Sequence, residues 1–123
     1  MKFCTAITCM DGRIQIPVII YLQNRFNSEY VDVITEAAIN LVLSKQEESQ
    51  IIDAVLDRIR ISVEVHKSIS LAVVGHYDCA KNPASEEIQR EHTLDAINFI
   101  KARYSNLEII GLWVDQNWKV KEL

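Results

Sequence analysis

Apolar and polar positions along this chain follow two different rhythms, and the switches between them lay out its elements. "FCTAIT" (Phe3 to Thr8) reads as a short strand stopped by the Asp11-Gly12 turn signal. Through "PVIIYLQNRF" the spacing becomes helical, and Pro17 suits the first turn, where its fixed backbone angle and missing N–H cost nothing. The β-branched run "VDVIT" (Val31 to Thr35) predicts a second strand. "EAAINLVLSKQEESQ" then reads as a short helix followed by a polar loop. From Ser49, a candidate cap, Ile52, Val55, Leu56, Ile59 and Val63 recur at helical spacing and predict an amphipathic helix to about Lys67.

"ISLAVVG" (Ile69 to Gly75) is continuously apolar, as expected of a strand covered on both faces. A helix follows from about Ser85 to Arg103, with Leu94, Ile97, Ile100 and Tyr104 as its inner face. "LEIIGLWVD" is the last core strand, and "NWKVKEL" returns as an edge strand after the turn at Asp115-Gln116-Asn117. Strands alternating with helices predict an α/β fold, with a mostly parallel central sheet of about four to five strands flanked by helices. With no linker, repeat or low-complexity segment, residues 1–123 read as one domain.

Composition narrows the function classes without choosing among them. The chain is 49% hydrophobic and 24% charged, inside the globular range. No run approaches the roughly 18 apolar residues of a membrane span, and Asp11 and Arg13 arrive too early for a secretory leader, so a cytoplasmic location is expected. A formal charge of −4 with scattered basic residues argues against nucleic acid as a partner. Three cysteines, Cys4, Cys9 and Cys79, are too few for a disulfide framework and are better read as ligands, nucleophiles or core residues.

Two segments concentrate the chemistry: "CMDGR" (Cys9 to Arg13) after the first strand and "GHYDC" (Gly75 to Cys79) after the third. In open α/β sheets ligands gather beyond the carboxyl ends of the strands, so adjacent first and third strands would bring Cys9, His76 and Cys79 together. Thiolate and imidazole suit zinc, and three such ligands leave a fourth position open. Read on the residues alone, these side chains fit either a zinc site or packed thiols beside a surface histidine. Cys4, an odd number of positions before Cys9, is expected on the opposite face as a core thiol. His66 reads as a partly buried packing residue, His92 as a solvated helix residue, and Asp78 as a residue that caps or turns its loop, the alternative being that it orients metal-bound groups. Trp113 and Trp118 read as packing area, with Trp118 also a candidate for a subunit contact. Tyr21 and Arg25 read as surface or core.

"CMDGR" resembles the C-x-D-S-R motif of the β-class carbonic anhydrases, and "GHYDC" resembles their G-H-x-x-C motif, in matching order over nearly the whole chain. The resemblance implies Zn2+ held by Cys9, His76 and Cys79, and a catalytic dyad of Asp11 and Arg13. It implies reversible hydration of carbon dioxide to bicarbonate by zinc-bound hydroxide, in a homodimer or higher homo-oligomer with no nucleic-acid or membrane partner. Two thiolate ligands leave zinc less able to acidify water than three imidazoles, so Asp11, oriented by Arg13, is expected to accept the water's proton or to swing onto the metal and close it. The alternatives are a related small electrophile (carbonyl sulfide or carbon disulfide), a catalytically silent zinc module, and, more distantly, a Cys9–Cys79 redox pair. The motif departs from the family at Gly12, where a serine is usual, and at Ala80, where a glycine is usual. "TEAAIN" (Thr35 to Asn40) replaces an R-N-A-G-N-like segment, and the long N-terminal arm of many members is expected to be missing. The strand nearest that segment is the expected edge for a symmetric dimer.

Overall fold

The computed structural model describes residues 2–123. Five strands, β1 (Phe3–Thr8), β2 (Tyr30–Thr35), β3 (Ser70–His76), β4 (Glu108–Val114) and β5 (Val120–Glu122), form one sheet in the order β2-β1-β3-β4-β5. The first four are mutually parallel and β5 runs antiparallel beside β4. The helices are α1 (Gln15–Arg25), α2 (Ile39–Lys45), α3 (Ser49–Arg60) and α4 (Glu86–Lys101).

Side-chain alternation along the strands divides the core in two. On one face Ala6, Ala72 and Val74 pack under Ile14, Val18 and Leu22 of the α1 region. On the other, Ile7, Leu71 and Val73 meet α2, α3 and α4 through residues such as Leu43, Ile59 and Ile100. Strand β3 is buried at every position, as its unbroken apolar run predicts. The covering is unequal: α1 alone lies on the first face, while three helices share the second.

Element boundaries follow local chemistry. Ser85 caps α4, its Oγ accepting from Ile88 N at 3.3 Å, and Glu86 and Glu87 sit favourably in the first turn. Asp115 closes the β4–β5 turn by accepting from the amides of Asn117 and Lys119 at 2.8 and 3.0 Å. Two expectations need correction. Ser49 lies inside α3 rather than capping it, and the helix does not run on to Lys67. It passes at Ile61–Val65 into a π-helical turn, closed by His66 N donating to Ile61 O at 3.1 Å. The wider turn directs Ser62 into the protein, where its Oγ donates to Asp32 Oδ2 at 2.6 Å and meets Thr5 Oγ1 at 2.6 Å. His66, at the end of the turn, places Nδ1 2.7 Å from the same Asp32 oxygen and stacks on Phe3 with ring centroids 4.6 Å apart. It is therefore a hydrogen-bonding residue as well as a packing one.

The inner face of α4 also differs from expectation. Leu94 is 43% exposed, and Gln89 and Thr93 occupy buried positions on the stripe that continues through Ala96, Ile97 and Ile100. Tyr104 lies beyond the helix end and packs only partly against the core. Urea denaturation checks this assignment: Ile100→Ala should lose about 2–5 kcal/mol of stability, whereas Leu94→Ser should stay within about 0.5 kcal/mol of the parent.

Candidate metal centre

The chain enters the sheet at β1, goes to one side for β2, then returns across β1 to form β3 and β4 on the other side. The reversal falls between β1 and β3, which is where open α/β sheets leave a crevice at their carboxyl edge. The β1–β3 register pairs Ile7 with Val73. Continued by two residues it sets Cys9 level with Gly75, one position before His76. Cys79 follows after a tight loop in which Asp78 takes a left-handed conformation with φ of 59°. A non-glycine residue there costs about 1–2 kcal/mol, and aspartate is one of the few that tolerate it. Asp78 thus turns the loop, as its place between His76 and Cys79 leads one to expect.

Sulfur, imidazole nitrogen and sulfur of Cys9, His76 and Cys79 lie within 4.8 Å of one another, and all three residues are buried. His76 Nδ1 is 2.8 Å from the Tyr77 carbonyl oxygen, an acceptor, so Nδ1 carries the proton and Nε2 presents its lone pair. That Nε2 is fully buried without a hydrogen-bond partner among the described residues, a costly state unless an ion accepts the lone pair. The thiol of Cys9 is pushed strongly down, first by a hydrogen bond from Cys79, against the opposing effect of burial, and further by the nearness of the His76 ring and by the backbone amides of Ala38 and Asp11. Cys79 is pushed up, first by the Cys9 sulfur and then by burial, while the amides of Asn82 and Lys81 oppose the shift. Burial pulls the His76 imidazole down, but the Cys9 sulfur and the Tyr77 carbonyl outweigh it and leave its pKa raised. Two sulfurs with amides aimed at them, beside an orphaned imidazole nitrogen, make a donor set that fits a thiophilic divalent ion. Binding would displace the shared protons, so affinity should fall as pH falls.

Beside this set, Asp11 and Arg13 form a two-pronged pair. Asp11 Oδ1 accepts from Arg13 N at 2.9 Å and from Nε at 3.0 Å, while Oδ2 accepts from Nη2 at 2.7 Å. Arg13 hydrogen bonds hold the Asp11 carboxyl at about 2, below its ordinary 3.8. The guanidinium also donates to Asp78 Oδ2 and to the Asp78 carbonyl, both at 3.1 Å, and lies 4.5 Å over the Trp118 ring. Arg13 therefore ties the dyad to the loop between His76 and Cys79. Gln15 fixes the preceding turn by donating Nε2 to the carbonyls of Cys9 at 2.8 Å and Asp11 at 2.7 Å.

The departures from the family pattern take definite forms. A Cβ added at Gly12 meets nothing within 4 Å, so the position has room for the missing serine. Ala80 does not adopt a left-handed backbone; Asp78 does so in its place. Within Thr35 to Asn40, Ala38 is left-handed with φ of 52°, and its amide points at Cys9 Sγ at 3.5 Å. Cys4 is fully buried, and burial raises its pKa as expected of an inert thiol. It nonetheless belongs to the same apolar cluster as Cys9, because β1 ends at Thr8 and strand alternation does not carry through. Arg25 pairs with Glu108 and Glu122 at 3.2 and 2.8 Å, and Tyr21 packs on the α1 side of the core. His92 is half-buried, with Nδ1 3.1 Å from Asn82 Nδ2, rather than solvated. Trp113 is core, and Trp118 packs partly buried against the α1-side cluster with the Arg13 guanidinium 4.5 Å over its ring.

Behind the metal loop lies a group that motif reading overlooks: the buried amides of Asn40, Asn82 and Gln89. The signal was available in part, since Gln89 and Thr93 are polar residues at helical spacing on an otherwise apolar stripe.

Two cysteines and a histidine that could hold a metal ion thus converge at the switch point of an α/β sheet. The chain belongs to the family described as "Putative carbonic anhydrase", whose model matches residues 1–123. Among solved structures, the fold is similar to that of a β-carbonic anhydrase from the filamentous ascomycete Sordaria macrospora, described as tetrameric, at 15% identity and a TM-score of 0.64. That match covers 99% of this chain and 80% of the other. The β-carbonic anhydrase CafA of Aspergillus fumigatus matches at 14% identity and a TM-score of 0.54, covering 99% and 74%. The β-carbonic anhydrase CcaA matches at 10% and 0.61, covering 99% and 80%. A search of curated proteins returns no match.

The lowered carboxyl of Asp11 has a measurable sign. Its folded pKa lies below the ordinary value, so its contribution to stability is complete above about pH 4 and is lost as pH falls toward 2. Thermal melts of the parent and Asp11→Asn should converge over that interval, and equal spacing from pH 2 to 6 would contradict the pairing.

Proposed function

We propose that the chain is a zinc-dependent carbonic anhydrase, hydrating carbon dioxide to bicarbonate, with Cys9, His76 and Cys79 holding the metal and Asp11 and Arg13 orienting the attacking water. The observation that carries this reading is the convergence of two sulfurs and the unpartnered Nε2 of His76 beside a carboxylate locked by arginine. Zinc at such a site supplies Lewis acidity that makes water a nucleophile near neutral pH.

The state of the dyad divides the labour. Asp11 offers four lone-pair positions, and Arg13 fills two on Oδ1 and one on Oδ2. The remaining Oδ2 lone pair is available to a water O–H, which would aim the oxygen at the substrate carbon. Full proton transfer is another matter: Arg13 holds the Asp11 carboxyl at about 2, below its ordinary 3.8, which makes it a weak base toward a water in the site. Asp11 is therefore an acceptor of a hydrogen bond, and the proton released on forming bicarbonate leaves to solvent or buffer. The hold of Arg13 thus favours a hydrogen-bond-accepting role for Asp11 over full acceptance of the proton. It also bears on closure of the site, because a carboxylate held on both oxygens by Arg13 must break those bonds to become a ligand.

Assembly is the second part of the proposal. Strand β2 is a free edge, with Tyr30 and Val33 exposed along it. Beside it a groove of about 420 Å³, lined by residues including Val33, Glu36, Ile51 and Arg58, separates the edge from α3. None of its lining residues belongs to the metal set, so we assign this face to a symmetric subunit contact rather than to substrate. Free thiols and the absence, among described residues, of a helix able to cross a membrane fit placement in the cytoplasm.

Stopped-flow carbon dioxide hydration on protein of measured zinc content should show activity that tracks bound metal and vanishes in Cys79→Ser. Asp11→Asn should retain metal but lose about 10²-fold in kcat/KM through lost orientation of the water. One equivalent of zinc without hydration above background would reduce the protein to a binding module. Sedimentation at micromolar concentration should give a dimer or larger species, and a monomer would remove the subunit contact.

A further inference from the structure

Gln89 is almost wholly buried on α4, thirteen residues beyond His76, and its carboxamide faces the main chain of the metal loop. Its Nε2 donates to the carbonyls of His76 at 2.9 Å and Asn82 at 3.0 Å. Its Oε1 accepts from the His76 amide at 3.3 Å and from Asn40 Nδ2, also at 3.3 Å. One side chain thus holds both polar groups of the His76 backbone and the far end of the loop that carries Cys79. Asn40 shares its other amide hydrogen with Thr93 Oγ1 at 3.2 Å, and its Oδ1 accepts from Asn82 Nδ2 at 3.4 Å, which closes a ring of amides. The approach requires the bare backbone of Gly75: a Cβ there would lie 3.0 Å from Asn40 Nδ2, 3.1 Å from Thr93 Oγ1 and 3.2 Å from Gln89 Oε1.

The side-chain amides of this ring make no hydrogen bond to the ligands' donor atoms, and only the backbone amide of Asn82 faces the Cys79 sulfur, yet the ring fixes the backbone from which two ligands hang. The imidazole's remaining freedom is removed by the Nδ1 contact to the Tyr77 carbonyl. Asn40 also ends the wall segment whose Ala38 amide faces Cys9 Sγ, so all three ligand-bearing stretches are referred to one point. A buried amide with every donor and acceptor engaged is rigid, because any rotation leaves a polar group unpaired.

We propose that Gln89 is a positioning residue that preorganises the metal centre, holding His76 and the Cys79 loop in a binding-ready geometry before the ion arrives. This rests on the metal reading given above. The ligand it serves is a divalent ion of zinc's preferences, and the residue acts through backbone, not by contact with the ion.

The test uses the full chain with zinc and, separately, cobalt(II) as probes. Zinc affinity is measured by chelator competition, cobalt geometry by the visible absorption of the thiolate complex, and folding stability by urea. Gln89→Met and Gln89→Glu keep the side chain's length while removing or reversing its donors; each should weaken zinc binding about 10–100-fold and alter the cobalt spectrum. Ile59→Val, in the core of α3, is the control: it should lower stability while leaving zinc affinity and the spectrum unchanged. Thr93→Val, which removes only the outer support of Asn40, should shift both readouts in the same direction by less. Wild-type affinity and spectrum in the Gln89 variants would overturn the assignment, as would an equal loss of affinity in Ile59→Val. Should neither Gln89 variant fold, an unchanged Thr93→Val overturns it. Failure of the parent chain to bind either ion overturns the metal reading and this inference together, whereas binding by the parent with unaltered variants overturns this inference alone.

Discussion

The adjacency of β1 and β3 is the constraint on which the candidate centre depends. Cys9 and His76 are 67 positions apart in the chain, and hydrogen bonding between two parallel strands brings them to neighbouring positions at one edge of the sheet. The pairing is enforced from both sides, since Ala6, Ala72 and Val74 are covered by α1 while Ile7, Leu71 and Val73 are covered from the opposite layer. A slip of one residue would turn each of these positions to the wrong face. The hydrophobic core thereby sets the spacing of polar groups that contribute little to it.

Around that fixed point the charged groups are arranged in a short chain of dependence. Arg13 reaches Asp11 and Asp78 together, so the residue that orients a carboxylate also steadies a left-handed backbone between two candidate ligands. Each of these ion pairs has a solvent-facing partner, and exposed pairs contribute little to global stability. Their value here is local: they hold directions. The buried amide ring behind the loop acts similarly from the protein interior, where an unpaired polar group is far more costly.

Much of this architecture was legible in the chain. The continuous run from Ile69 to Gly75, the β-branched residues before Thr35 and the turn at Asp115 reported β3, β2 and the β4–β5 connection because each signal is local. The Cys9, His76 and Cys79 juxtaposition was legible too, although only through the added assumption that the first and third strands are neighbours. What escaped depends on nonlocal partners. The π-helical turn at Ile61–Val65 is stabilised by Ser62 finding Asp32 and Thr5, which no helical periodicity announces. Leu94 was placed inside because it is apolar, yet the face of α4 that turns inward is chosen by Gln89 and Thr93 meeting Asn40 and the bare Gly75. The two roles of Arg13 required knowing that a loop 65 residues away would bring Asp78 within reach.

The position of Trp118 has a practical consequence. The chain holds two tryptophans; Trp113 is buried in the sheet, while Trp118 is half-buried with the Arg13 guanidinium 4.5 Å from its ring. An indole's emission depends on the charges beside it, and here the guanidinium over the ring is shared between the carboxylate and the loop of the centre. The molecule thus carries its own optical gauge: a shift in the guanidinium changes the surroundings of the Trp118 ring.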